Sequence, residues 1–205
     1  MASGGHEASV GAQDLELARA LVPVLLERIE RSARRLERID ARLGTPQEPV
    51  DPTEALGAEA GEVESLGWLL GWIAGGLGTE LLLERHEPRA LGLGIALVRA
   101  ALQRDGVALA AIEVPAVRRA GGWRLAWAVA GLAWRAARAD GGDGTLELRS
   151  GTTGQDACLA AYGPAPAALR ERSRVLEREL PGTYLVERHD GWRWCFPASW
   201  LEEMA

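Results

Sequence analysis

The sequence predicts an α+β protein in which a helical hairpin precedes an α/β sandwich. Residues 13–43 place apolar side chains at alternating spacings of three and four, which is typical of a long helix that packs against other helices. Residues 107–197 instead combine short segments of strand-like alternation with two helical segments. This change of period divides the chain into a leader over 1–12, a hairpin domain over 13–86 and a sandwich domain over 87–205.

The first helix carries a heptad seam along one side. Charged residues fill most of the intervening positions, so the apolar stripe is narrow and needs a partner helix to cover it. We expect a second copy of the chain to cover it in a dimeric four-helix bundle; a contact within the bundle of one chain is the alternative. The seam consists of Leu15, Ala18, Val22, Leu25, Ile29, Ser32, Leu36, Ile39 and Leu43, and all of these except Ala18 and Ser32 are candidate dimerisation residues.

A second helix is predicted over 53–85, after a loop rich in proline and glycine over 44–52. Its uncharged part is shorter than the roughly 20 apolar residues that a membrane span needs, so we expect no span. Gly67, Gly71 and Gly75 recur every four residues. They predict a flat face that a neighbouring helix approaches closely.

The sandwich domain is predicted to contain three helices and five strands. Glycine and proline mark the ends of most segments, and the Asp190-Gly191 turn predicts a closing β-hairpin. In chain order we predict a helix over 89–104, a strand over 107–115, a helix over 123–139, strands over 145–149 and 157–162, a helix over 166–179, and strands over 184–188 and 192–196.

Composition excludes several classes of function. The net charge of −6 argues against nucleic acid as the main partner, and no basic stripe is evident in the sequence. The absence of lysine excludes lysine Schiff-base chemistry. Cys158 and Cys195 lack metal-like neighbours, and we expect unpaired, buried thiols rather than a disulfide. Without a signal peptide or a membrane span, the sequence predicts a cytoplasmic protein.

Several segments resemble the core of sensor histidine kinases. That core joins a dimerisation and phosphotransfer hairpin to an ATP-binding domain of the Bergerat (GHKL) type. The residues over 95–114 resemble the helix and strand that open this domain, and WRLAWAVAGLAWRAARA over 123–139 resembles its asparagine-box helix. CLAAYGPAP over 158–166 occupies the place of the first glycine box, and the residues over 180–196 resemble the closing hairpin. The resemblance therefore implies a GHKL-like α/β sandwich.

The positions that carry the chemistry of this family differ in the present chain. The resemblance places Ala18 at the phosphoacceptor histidine, five residues before Pro23, and alanine cannot accept a phosphoryl group. It places Arg135 at the magnesium-binding asparagine, and a guanidinium does not bind cations. Ala161 replaces the aspartate that reads the adenine. We therefore expect neither a cofactor nor a metal, and an enzyme is the less favoured interpretation.

Three functions follow from the sequence. The favoured one is a non-catalytic, histidine-kinase-like signalling protein of the two-component type: a homodimer that binds a response-regulator receiver domain or a histidine kinase. The first alternative is an ATP-independent histidine phosphotransferase, for which His86 and His6 are weak candidate phosphoacceptors. The second alternative is a structural protein that assembles through its helical stalk.

Overall fold

The computed structural model describes residues 12–43, 52–78, 90–107, 116–117, 122–139, 146–150, 156–162, 165 and 167–202. The chain divides into two compact units, Met1–Leu83 and Glu84–Ala205. The described residues of the first form two helices. The second contains three helices and two antiparallel sheets among its described residues, so the predicted α+β class is confirmed.

The first unit is built from α1 (Ala12–Leu43) and α2 (Pro52–Gly76), which pack along each other. Helix α1 continues through Pro23, whose missing N–H leaves the Arg19 carbonyl without its usual intrahelical donor. Arg19 is an exposed residue.

Helix α2 is shorter than the sequence predicts. It ends at Gly76, and residues 77–78 form a turn rather than continuing a helix to residue 85. Gly78 adopts φ 80°, and its N–H donates to the Gly75 carbonyl at 3.0 Å. Glycine adopts this left-handed conformation at little cost, which explains why the helix terminates here. Residues 79–85 lie outside the described part of the chain.

The second unit contains α3 (Ala90–Arg104), α4 (Gly122–Ala139) and α5 (Ala167–Glu179). Helix α3 ends in a Schellman motif: Gly106 adopts φ 77°, and the Val107 N–H donates to the Leu102 carbonyl at 2.8 Å. Helix α4 is buried from Leu125 to Trp134 because α3 packs on it and it also contacts α5 and the sheet.

A four-stranded antiparallel sheet completes the second unit. Its strands are β2 (Leu146–Ser150), β3 (Asp156–Tyr162), β4 (Tyr184–Arg188) and β5 (Gly191–Pro197), in the order β2-β3-β5-β4. The sequence does not predict a second sheet, in which β1 (Ala116–Val117) pairs with β6 (Leu201–Glu202). All three predicted helices of this unit and four of its five predicted strands lie within one residue of their expected bounds. The strand predicted over 107–115 falls almost entirely outside the described residues.

Alternation along β5 places its aromatic residues on one face of the sheet. Trp192, Trp194 and Phe196 are each at most 1% exposed, as expected from their spacing of two. Leu159 of β3 lies opposite Trp194 and is fully buried. These side chains contribute to the core of the second unit, on the sheet face that also carries Glu187, the partner of Arg170 in α5.

The prediction of unpaired cysteines was wrong. Cys158 of β3 and Cys195 of β5 are directly opposite each other in the sheet and form a disulfide. Both are buried, as the sequence analysis expected. Their separation of 37 residues did not indicate the pairing because it depends on the register of two strands that are not consecutive in the chain.

Candidate dimerisation surface of the N-terminal hairpin

Polar contacts set the register of α1 against α2. The guanidinium of Arg28 donates to both carboxylate oxygens of Glu62, at 2.9 and 3.0 Å. Further along α1, the Ser32 hydroxyl donates to Glu59 Oε2 at 2.8 Å, and Arg35 pairs with the same carboxylate. Partner numbers fall along α2 as they rise along α1, so the two helices are antiparallel.

Glu59 is buried, with 7% of its surface exposed, and Ser32 with 2%. A buried carboxylate is costly unless it is both hydrogen-bonded and paired with a charge, and Glu59 has both kinds of partner. A shift of one helix along the other by one turn would leave the Glu59 carboxylate and the Ser32 hydroxyl without partners. The polar contacts therefore specify one register, as buried polar groups do in coiled coils.

The heptad seam of α1 separates into a buried half and an exposed half. Ala18, Leu25 and Ser32 are each at most 3% exposed and contribute to the side that meets α2. Leu15, Val22, Ile29 and Leu36 alternate with them and are 37–39% exposed. Ile39 is half-buried, and the side chain of Leu43 lies outside the described part. Leu25 therefore belongs to the interior of the hairpin rather than to its exposed stripe.

Helix α2 carries a matching stripe that its sequence did not indicate. Leu56, Val63 and Leu70 recur every seven residues and are 43%, 49% and 58% exposed. In the antiparallel register Leu70 lies level with Val22, and Val63 with Ile29. Successive levels are about 10 Å apart at 1.5 Å per residue.

Both stripes lie on the same face of the hairpin. At about 100° per residue, each stripe is displaced by roughly 90° from the line along which the two helices meet, in the same direction of rotation. Because antiparallel helices turn in opposite senses when viewed from one end, equal displacements lead to the same side. This apolar face comprises Leu15, Val22, Ile29 and Leu36 of α1 with Leu56, Val63 and Leu70 of α2.

The opposite side of α1 carries a basic flank, formed by Arg31, Arg34 and Arg38. All three are exposed. Arg34 pairs with Glu30 at 3.3 Å, an exposed pair of little energetic value. Arg31 donates to the backbone carbonyl of Glu27 in its own helix, at 3.3 Å.

The glycine face predicted on α2 does not form a close contact at Gly67. A Cβ placed there would meet nothing within 4 Å, so the space beside this residue is open. One turn away, the rings of Trp68 and Trp72 stack with their centroids 5.8 Å apart. Trp72 is fully buried and belongs to the core of the first unit.

The positions that the kinase resemblance assigns to chemistry hold no catalytic arrangement. Ala18 is 3% exposed, on the interior side of the hairpin. Arg135 donates to the carbonyl of Gly131 at 2.8 Å, within its own helix. Ala161 is a sheet residue of β3, opposite Trp192. His6 and His86 lie outside the described residues.

Two exposed polar pairs tie elements of the second unit together. Arg170 of α5 donates two hydrogen bonds to Glu187 of β4, at 2.8 and 2.6 Å, and these bonds lower the pKa of Glu187 and raise that of Arg170. The Tyr184 hydroxyl donates to Asp156 Oδ2 at 2.7 Å, which raises the pKa of Tyr184. Both are pairs on the surface of the sheet unit, and neither is accompanied by a nucleophile or a metal-ligand set.

Within the described ranges, no group of three or more His, Cys, Asp or Glu residues is placed to hold a metal ion. The helices of that same part include none long and apolar enough to cross a bilayer. The sequence matches no protein-family model, and a search of curated proteins finds no significant similarity. The hairpin surface is therefore the candidate site with the clearest geometry.

Proposed function

We propose that this protein is a non-catalytic relative of the sensor histidine kinase core, a cytoplasmic homodimer that binds a receiver domain or a histidine kinase. The apolar face of the hairpin is the observation that carries the proposal. Seven aliphatic side chains on the two helices form a surface that an isolated hairpin leaves in water. A second hairpin related by a twofold axis would cover it with the same surface, as in other symmetric dimers.

The energetics favour such a dimer. Full burial of one Val, Leu or Ile side chain contributes about 1.5–3 kcal/mol relative to full exposure. The residues of the apolar face are 37–58% exposed, so each can still gain part of this burial free energy when a second hairpin covers it. Two copies contribute the same residues twice, which supplies several kcal/mol against the entropy cost of association.

The second unit supports the relationship to the kinase core. Its helix at 122–139, strands at 146–150 and 156–162, helix at 167–179 and closing hairpin follow the order that the resemblance implies. The residues at the three matched chemical positions are alanine or arginine. Retention of the framework without these groups is what we expect of a protein that binds partners rather than nucleotides.

A matched pair of variants tests the dimer. Val63→Asp places a charge in the apolar face, whereas Ala58→Asp places the same charge on an exposed position of the other flank of the same helix. By light scattering we expect the unchanged protein and Ala58→Asp to have the mass of a dimer, and Val63→Asp to have that of a monomer. A dimeric Val63→Asp protein would contradict the proposed interface.

Nucleotide binding tests the non-catalytic assignment. We expect no change in melting temperature or titration heat on adding ATP and magnesium. A ligand present at 100 times its Kd would stabilise the fold by about 2.7 kcal/mol, an effect that is easily measured. Micromolar binding of ATP would overturn the assignment.

The basic flank is the surface that we propose for the partner. It lies on the side opposite the apolar face, so it stays accessible in the dimer. Guanidinium groups bind carboxylates in a bidentate manner, which favours an acidic partner surface. We expect Arg31→Glu with Arg38→Glu to abolish binding of a cognate receiver domain without changing the dimer mass.

Phosphotransfer is the other outcome that this experiment can reveal. If a phosphorylated receiver loses its phosphoryl group to this protein, and His6→Ala or His86→Ala prevents the loss, the phosphotransferase alternative replaces the present proposal. Binding without transfer supports the non-catalytic function.

A further inference from the structure

The two cysteines occupy matching places in the central strands of the sheet. Cys158 pairs with Cys195 in the register of β3 and β5, and their Cα atoms are 4.1 Å apart. The chain contains only these two cysteines, so no third thiol competes for either of them. Within one molecule, each cysteine therefore has one possible disulfide partner.

The register that aligns the cysteines does not depend on the bond between them. Strands β3 and β5 pair along seven residues, and the aromatic side chains of β5 pack on the other face of the sheet. We therefore expect reduction to remove a covalent link and to leave the ladder and the core in place. In the reduced protein the two sulfur atoms stay close enough for the bond to form again.

The bridge also lies beside a second link across the same strands. Tyr184 of β4 pairs with Cys195, and its hydroxyl reaches over β5 to Asp156 of β3. The disulfide closes a segment of the chain that contains both α5 and β4. Oxidation therefore constrains three strands and one helix of the second unit at once.

We propose that Cys158 and Cys195 form a reversible redox pair that locks the sheet of the second unit. In a reducing compartment the pair is a dithiol by default, and disulfides that form there are usually transient and responsive to redox conditions. This inference goes beyond the proposed function and takes from it only the reducing compartment; it requires neither the dimer nor the kinase relationship.

The closing step is thiol–disulfide exchange with a small disulfide such as oxidised glutathione. The Cys158 thiolate attacks one sulfur of the small disulfide, forming a mixed disulfide and releasing one small thiolate. The Cys195 thiolate then attacks the Cys158 sulfur, forms the internal bond and releases the second small thiolate. The two protein protons pass to the two thiolates, so two protein thiols are oxidised and one small disulfide is reduced. The buried thiols, 8% and 4% exposed as residues, favour a small reagent over a large one.

Alkylation and melting measurements on the full-length protein test the proposal. The protein is equilibrated in glutathione buffers of varied ratio, quenched with N-ethylmaleimide under denaturing conditions, and weighed intact. As the proportion of oxidised glutathione rises, we expect molecules that carry two N-ethylmaleimide labels to be replaced by molecules that carry none. Adding reduced glutathione should restore the doubly labelled form. We also expect the oxidised form to melt about 10 °C higher, as a bridge across a loop of this length predicts.

Three results would contradict the proposal. Dominant species with one label, disulfide-linked dimers, or equal melting temperatures of the oxidised and reduced forms would overturn the proposal. Cys158→Ala and Cys195→Ala serve as controls, because neither should show a melting shift with glutathione ratio. The reduced wild-type protein supplies the same comparison if either variant fails to fold.

Discussion

At the scale of single residues, Gly182 shows how one backbone conformation joins a helix to the sheet. It follows α5 and Pro181, adopts φ 100°, and allows the Thr183 N–H to donate to the Leu180 carbonyl at 3.1 Å. Proline followed by glycine is the sequence that a type II turn requires. A Cβ on Gly182 would also lie 3.2 Å from Cγ of Pro197, a tight contact that adds to the preference of this φ angle for glycine.

We predict that Gly182→Ala lowers the free energy of unfolding by about 1–2 kcal/mol, the usual cost of a side chain in this conformation. Gly67→Ala is the matched control. That glycine lies in a helix with open space beside it, so alanine should raise the stability of the monomeric hairpin by about 0.5–1 kcal/mol. Urea unfolding measures both values, and an equal effect of the two substitutions would refute the explanation.

Tyr184 yields a prediction for alkaline pH. Its hydrogen bond to Asp156 holds the hydroxyl proton and raises the pKa of Tyr184 above the usual value of about 10. A raised folded pKa stabilises the fold below the unfolded pKa, and this contribution is lost as pH rises through the folded pKa. The chain has two tyrosines, so absorbance titration of Tyr184→Phe and Tyr162→Phe separates them. Titration of Tyr184 at or below pH 10 would contradict this prediction.

At the scale of elements, the antiparallel pairing of α1 and α2 depends on Glu59. Glu59→Ala leaves the buried Ser32 hydroxyl and the Arg35 guanidinium without their partner. We expect it to destabilise the hairpin by about 1–3 kcal/mol. Glu64→Ala removes an exposed carboxylate of the same helix and should change stability by at most about 0.5 kcal/mol. Helical circular dichroism during urea unfolding measures the difference, and indistinguishable variants would show that the Glu59 contacts do not set the register.

The elements of this fold were more predictable than their contacts. Periodicity and turn residues located the strands at 184–188 and 191–197 because each depends on local sequence. The heptad seam identified the apolar positions of α1, but periodicity alone does not show which half of a seam meets the neighbouring helix. Ala18 and Leu25 became buried and Leu15 and Val22 exposed only once α2 took its position.

The remaining differences have similar physical causes. The Cys158–Cys195 pairing required the register of strands separated by a helix and another strand, which a linear spacing does not contain. The stripe on α2 was missed because its three residues are seven apart and small or acidic residues fill most of the other positions over 53–65. The end of α2 at Gly76 was missed because apolar residues continue beyond it, although several glycines mark the point.

At the scale of the whole molecule, the two proposals concern different units of one chain. The apolar face belongs to the unit Met1–Leu83, and the redox pair belongs to the unit Glu84–Ala205. Association responds to protein concentration by mass action, whereas an intramolecular disulfide does not. The two effects can therefore be distinguished by changing concentration and reductant separately.

Hydrogen exchange followed by peptide mass spectrometry tests this separation in the intact protein. On dilution below the dimer Kd, we expect faster exchange in peptides from α1 and α2, because loss of the partner hairpin removes cover from the apolar face. On adding a reductant at constant concentration, we expect faster exchange in peptides from β3 and β5, because the link between Cys158 and Cys195 is lost. Val63→Asp serves as the control for dilution, since a protein that is already monomeric should no longer respond to it. If dilution changed β3 and β5 while leaving α1 and α2 unchanged, the dimer interface would belong to the second unit instead.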